Sequence, residues 1–338
     1  MSSNLPVQIG GSPPASTDPL ARAADYATAE KSDATRRAYR SDFNHFSTWC
    51  FSAGRTPLPG SPETVAAYLA HLADSGLKAS TITRRCAAIT YAHRLKGCPP
   101  PTLAEPVKAV LRGIRRRIGT AVERKAPATA RAIRDMLRRI PADTLAGKRD
   151  RALLLIGFSA ALRRSELVAL NVADIETVPE GIVIHVRRGK TDQEGQGAEI
   201  AVPKGSRLKP VEALEAWIDA KNALFMQKRG DFPSDALELC APLCAPLFVS
   251  IARGDRLGGR LSDRAVALIV KRWAKAAKLD PALFAGHSLR AGFVTSALEE
   301  GADPFKVMDI TRHRRVDTLK IYDRRAKAFK NHAGKGFL

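Results

Sequence analysis

Between Ser32 and Arg117 the large apolar side chains recur only at helical spacing, in four short stripes broken by Gly, Pro and Ser. A chain patterned this way has no face to offer a sheet, so the segment is restricted to a compact helical bundle. Ser32 or Asp33 can cap the first helix, whose core stripe is Tyr39, Phe43, Phe46 and Cys50, ending at Gly54. Ser61-Pro62-Glu63 opens a second, with Val65, Tyr68, Leu69 and Leu72 inward and Gly76 as the stop. A Ser80 or Thr81 cap predicts a third with Ile82, Cys86 and Ile89 buried. After Pro99-Pro100-Pro101 a fourth carries Val107, Val110, Leu111 and Ile114.

Arginines crowd the other faces of these helices: Arg36, Arg37 and Arg40 on the first, Arg84 and Arg85 on the third, Arg115, Arg116 and Arg117 at the end of the fourth. One such residue is ordinary solvated surface. Recurrence over several helices points to a phosphate-binding face. The whole chain agrees, with 55 Lys and Arg against 34 Asp and Glu and a net charge of +21 over 338 residues. A surplus of that size makes a polyanion the expected partner. An anionic membrane is the competitor, but the helices interleave charge with core positions and leave no clean apolar face. No run is long enough to span a bilayer, and the N-terminus lacks the order of a signal peptide. The expected location is therefore cytoplasmic.

Residues 1–30 read as a mobile arm rich in Ser, Pro, Gly and Ala. Residues 31–117 form the helical domain, 118–128 a basic linker, and 129–338 a second domain. In that second domain Thr129 caps a helix with Ile133, Leu137 and Ile140 inward, and another starts near Lys148 with Ala152, Leu155 and Ile156. The period then changes. Ile182, Ile184 and Val186 alternate with Val183, His185 and Arg187, and Ile200 and Val202 alternate after a polar turn, which predicts a β-hairpin with a basic tip. A Pro210 helix, a short strand at 246–249 and a Ser262-capped helix follow, and helix continues to about Ala328. The fold class is mainly α with a small β-sheet in the C-terminal domain.

Five cysteines without regular spacing fit a reducing compartment. Cys240 and Cys244 have no second Cys or His pair nearby, so no metal site is expected. Gly189-Lys190-Thr191 mimics the end of a phosphate loop, but Ile184 stands where the motif needs glycine, which excludes that class of NTPase.

Four separated stretches carry groups suited to one phosphate. Arg163 precedes Glu166 by three residues, so the acid can hold the guanidinium. Lys190 sits on the hairpin, where an ammonium can reach into a groove. His287 and Arg290 lie three apart at a helix start, pairing a proton-transfer group with a planar fork that matches phosphate oxygens. Thr311-Arg312-His313 comes last, with Tyr322 nine residues beyond the histidine.

This ordered set resembles the tyrosine recombinase (phage integrase) family over about residues 30–330. The resemblance implies a helical core-binding domain followed by an α+β catalytic domain. It implies a site-specific recombinase that cleaves and rejoins DNA through a 3′-phosphotyrosyl intermediate, with no metal, ATP or other cofactor. In that scheme Tyr322 is the nucleophile and Arg163 and Arg290 clamp the non-bridging oxygens. Lys190 protonates the leaving 5′ oxygen, His287 is the candidate base, His313 is a second phosphate donor, and Glu166 orients the site. The implied partner is double-stranded DNA with paired sites, held by a homotetramer in which a tail containing Ala326–Lys330, with Phe329 and Phe337 as apolar anchors, docks into a neighbour. A relaxing enzyme of the type IB topoisomerase kind shares this chemistry, and an inactive DNA-binding protein is the alternative from another class. Two positions depart from the family: Ala161 and Arg312 stand where it has glycine, which leaves the placement of His313 open. Arg164 and Arg312 read either as extra phosphate contacts or as solvated surface.

Overall fold

The computed structural model describes Asp18, Arg22, Tyr26, residues 30–121, 125–187, 197–227 and 245–313, and Val316. The chain divides into two compact units, Met1–Glu123 and Arg124–Leu338.

The first unit is a bundle of α1 (Asp33–Ser52), α2 (Pro62–Asp74), α3 (Ala79–Leu95) and α4 (Glu105–Ile118). α1 and α2 begin as their sequences predict: Ser32 Oγ accepts from the Thr35 amide at 3.3 Å and Ser61 Oγ from Thr64 at 3.2 Å. α3 starts earlier than expected, at Ala79, with Lys78 in the cap position and no side-chain cap bond. The apolar stripes converge on one core containing Phe46, Tyr68, Leu72, Ile82, Ile89 and Ile114. Two polar groups are built into it. His93 is fully buried; its Nε2 accepts from the Gly60 amide and its Nδ1 donates to the Ile89 carbonyl, both at 2.9 Å. These bonds orient the ring and tie the α1–α2 loop to α3. Asp42 is also buried and takes a bidentate pair from Arg84 at 2.8 and 3.0 Å.

The second unit begins with residues 125–128, read from sequence as linker but hydrogen-bonded here within the unit. The Ala126 amide donates to the Leu283 carbonyl at 2.7 Å and the Ala128 amide to Ser288 at 2.8 Å. α5 (Ala130–Leu137) is capped by Thr129 as predicted. α6 (Leu145–Ser159) is capped by Thr144 and so starts before Lys148. α7 (Arg164–Ala169) follows after a tight reversal. An antiparallel sheet of β1 (Ile175–Val178), β2 (Gly181–Val186) and β3 (Ala198–Pro203) then forms in the order β1-β2-β3. Its register pairs Ile184 with Ile200 and Ile182 with Val202, so the alternating apolar residues share the buried face. A side chain at Gly181 would stand 2.2 Å from the Val202 carbonyl oxygen, which is why glycine opens β2.

α8 (Pro210–Gln227) packs against α6 and buries Trp217, whose Nε1 donates to the Leu247 carbonyl at 2.9 Å. The expected strand at 246–249 instead runs as β4 (Val249–Ala252), paired with β5 (Arg256–Arg260). α9 (Asp263–Ala276), α10 (Ser288–Glu299) and α11 (Pro304–Thr311) complete the described fold. Asp150 on α6 is wholly buried among Arg149 and Trp273, whose Nε1 donates to it at 2.7 Å. The fold is mainly helical with small antiparallel sheets, as the periodicities imply. Among the described residues no helix is long and apolar enough to cross a membrane, and no cluster of His, Cys, Asp or Glu could hold a metal.

Candidate active site

Three chain reversals in the second unit bring five of the predicted residues together: Arg163, Glu166, His287, Arg290 and His313. The first lies between α6 and α7. α6 ends at Ser159 with Ala160 as its C-cap, and Ala161 takes φ +47°, the left-handed conformation that favours glycine. The turn makes Arg163 the N-cap residue of α7. Its amide donates to Glu166 Oε2 at 2.8 Å and its Nη1 to Oε1 at 2.6 Å. Glu166 is 2% exposed and so holds Arg163 from inside the protein, as the Arg-x-x-Glu spacing predicts.

The second reversal is the start of α10. His287 occupies the N-cap position and is exposed. Arg290, one turn later, is 1% exposed, so the two residues do not share one environment despite their spacing. The Arg290 Nη1 donates to the Ala161 carbonyl at 2.8 Å and its Nη2 to the Thr311 carbonyl. Close approach seats α10: a Cβ on Gly292 would lie 1.8 Å from the Ala128 carbonyl oxygen. Gly286 is covered by Arg164, since a Cβ there would fall 2.0 Å from Arg164 Cδ. Arg164 is half-buried over this glycine, between the two readings its sequence allowed.

The third reversal ends α11. The His313 amide donates to the Met308 carbonyl and the Arg312 amide to Asp309, both at 3.2 Å, which is the bond pair of a Schellman cap. Such a cap needs a left-handed residue, and Arg312 supplies it at φ +56°. The family's glycine is thus replaced without loss of the turn. Left-handed backbone costs a residue with a Cβ about 1–2 kcal/mol. Arg312 is not solvated: its Nη2 meets Glu166 Oε2 at 2.6 Å, with the side chain 16% exposed and the carboxylate 1%. Burial by itself would raise the Glu166 carboxyl. Arg312's charge and the Arg163 hydrogen bonds outweigh it and hold the group below the ordinary carboxylate range.

His313 is half-buried. Burial comes first, then the charges of Arg290, Arg163, His287 and Arg312, in pushing its ring down to about 4. That all four bear on one imidazole is the electrostatic mark of their convergence. The Thr311 hydroxyl donates to the Val307 carbonyl at 2.6 Å and so accepts from His313 Nδ1 at 2.8 Å. In the neutral ring Nε2 then carries the lone pair. Lys190 and Tyr322 lie outside the described residues, as do Cys240, Cys244 and the tail.

In the first unit the arginines separate into two kinds. Arg37, Arg40, Arg116 and Arg117 are exposed, and exposed Arg115 reaches Thr83 at 3.2 Å. Arg36 pairs with Asp33, and Arg84 keeps 53% of its side chain exposed while gripping Asp42. Arg85 is 15% exposed and committed inward, 3.6 Å from Asp42 and 3.3 Å from Tyr68 Oη. Sequence pattern could not tell Arg85 from its neighbours, because its buried partner lies 43 residues away, at Asp42.

Sequence profiles place these features in context. That of the phage integrase family matches residues 128–328, and that of the phage integrase N-terminal SAM-like domain matches residues 25–96. The chain is 37% identical over 309 residues to an integrase/recombinase XerD homolog of Selenomonas ruminantium, covering 90% of this chain and 85% of the relative. It is 31% identical to a tyrosine recombinase of Synechococcus elongatus, covering 87% and 85%, and 31% identical over 196 residues to the Cre recombinase of Escherichia phage P1, covering 54% and 56%. Among solved structures, the Tn1549 transposon integrase in complex with transposon right-end DNA superposes with a TM-score of 0.57 at 15% identity, over 89% of this chain and 92% of that one. A lambda integrase dimer bound to a core site gives 0.55 at 17% identity, over 90% and 93%. These two share the fold. The relatives are recombinases, which favours recombination over DNA relaxation or inert binding. The chain belongs to the phage integrase family, the tyrosine recombinases that cleave and rejoin DNA.

Proposed function

We propose that the chain recombines duplex DNA at paired specific sites, with Tyr322 attacking a backbone phosphorus. The observation that carries this reading is the convergence of Arg163, Arg290 and His313, from three distant stretches, around the α6–α7 turn. Two guanidiniums fixed from behind, one by Glu166 and one by backbone carbonyls, suit the two non-bridging oxygens of a phosphodiester. They neutralise charge as the phosphorus becomes pentavalent and cost no reorganisation at that moment. The Tyr322 oxygen forms the new bond to phosphorus and the 5′ oxygen departs with a proton from Lys190. His287, exposed at the start of α10, is the base for the phenol. His313 donates to the phosphate once its Nε2 has taken a proton, which an incoming negative charge favours. The 3′-phosphotyrosyl link conserves the energy of the broken bond, so rejoining needs no nucleotide cofactor.

The exposed arginines of α1 and α4 fit phosphate contacts by the first unit, and Arg85 is left out of that set. Bacterial and phage relatives support a cytoplasmic, nucleoid-associated enzyme. Assembly as a tetramer through the tail after Ala326 follows from the same reading. The test is incubation with a nicked duplex carrying the site, with divalent metal chelated. The wild type gives a protein–DNA adduct that survives denaturation, and Tyr322→Phe binds the duplex and gives none. An adduct persisting in that variant would remove Tyr322 from the mechanism.

A further inference from the structure

Arg312 stands at a position where the turn asks for glycine, and its side chain is spent inside the protein. Two facts about its neighbours give that substitution a use. The carbonyl immediately before it, of Thr311, accepts from Arg290 Nη2. The carboxylate it reaches, Glu166, also holds Arg163 at 2.6 Å. We propose that Arg312 is a positioning residue that couples the two phosphate-clamping arginines, its left-handed backbone aiming the Thr311 carbonyl at Arg290 while its side chain shares Glu166 with Arg163. The inference rests on the strand-cleaving reading and adds a residue to it.

The geometry explains why the side chain is worth having there. Without Arg312 both oxygens of buried Glu166 would be held by Arg163 alone, Oε1 by its guanidinium and Oε2 by its backbone amide, so the carboxylate would be located by α7 only. A second cation on its other oxygen, delivered from the end of α11, fixes the carboxylate between two helices. Arg163 is then located relative to α11, the same helix that presents a carbonyl to Arg290. The charged groups facing Glu166 are Arg163 from the start of its own helix and Arg312 from α11. With Arg312 removed, Glu166 holds its proton more tightly, and the acid limb of cleavage moves to higher pH.

The experiment uses the full chain and a nicked duplex carrying the sequence recovered from DNA trapped on the wild-type protein. Affinity, single-turnover cleavage at saturating DNA, its pH profile and the melting temperature are measured for Arg312→Ala, Arg312→Lys and Arg312→Gly. Removal of a residue that orients a site group costs roughly 10- to 100-fold in activity. Arg312→Ala is expected to bind within about twofold of wild type and to cleave slower by that factor, a loss in the bound state alone. Arg312→Lys, which keeps a cation on Glu166, regains part of the rate and returns the acid limb toward the wild-type position. Arg312→Gly separates the roles: relieved of left-handed strain, it melts no lower than Arg312→Ala and still cleaves as slowly. Wild-type cleavage by Arg312→Gly, or losses that follow melting temperature across all three variants with an unmoved acid limb, would overturn the proposal. A wild type that traps no DNA would instead overturn the strand-cleaving reading, and this inference with it.

Discussion

Ala161 and Arg312 show how much of this site is set by backbone. Each sits in the left-handed region without being glycine, and the carbonyls held in place by these two turns are the ones Arg290 binds. The penalty of about 1–2 kcal/mol at each is offset by contacts that glycine could not make, Ala161 by complete burial and Arg312 by its ion pair. His313 gives the residue scale a measurable consequence. Its folded ring protonates near 4 while an ordinary histidine does so near 6.5. Over that interval the unfolded chain binds a proton that the folded one refuses, so this histidine lowers stability as pH falls from 6.5 toward 4. Urea titrations of His313→Asn are expected to show a shallower loss of stability across the window than wild type. An unchanged slope would mean that the ring is not held neutral by burial and its cationic neighbours.

At the scale of elements, a cap or an alternation in the sequence was enough where local chemistry decides the structure. Ser61, Thr129 and Ser262 each open the helix they predict, and the Ile182–Val186 alternation gives a strand buried on one face. α3 begins at Ala79 behind a lysine that makes no cap bond, so its start carries no local signal. β5 is exposed and contains Gly258 and Gly259; it is a strand because β4 pairs with it, not because its side chains alternate. The site divides the same way. Arg163 with Glu166 is a helix-spacing pair and was legible. The inward turn of Arg290 and the ion pair of Arg312 depend on partners 129 and 146 residues away and were not. Lys190 falls, by sequence, in the segment between β2 and β3 that lies outside the described residues, and its proposed work is to protonate the leaving oxygen. Lys190→Ala is therefore expected to lose roughly 100-fold or more in cleavage of an ordinary phosphodiester. It should lose little on a substrate whose 5′ leaving atom is sulfur, which departs without a proton. Equal losses on both substrates would assign the lysine to binding.

Over the whole molecule, the surplus of 21 positive charges is the term that draws the enzyme to DNA, and the two units each hold their own core. Affinity is then expected to fall steeply with salt, with a slope of about 0.9 per phosphate neutralised. Replacing Arg115, Arg116 and Arg117 together by Gln should flatten that slope by up to about 3 and weaken binding at all sequences alike; an unaltered slope would take the end of α4 off the DNA. The proposed chemistry depends on one phenol meeting one phosphorus. Mass spectrometry of the peptide that retains nucleotide, after digestion of protein and DNA in the trapped adduct, tests this directly. The nucleotide is expected on Tyr322, and its recovery on any other residue would contradict the mechanism.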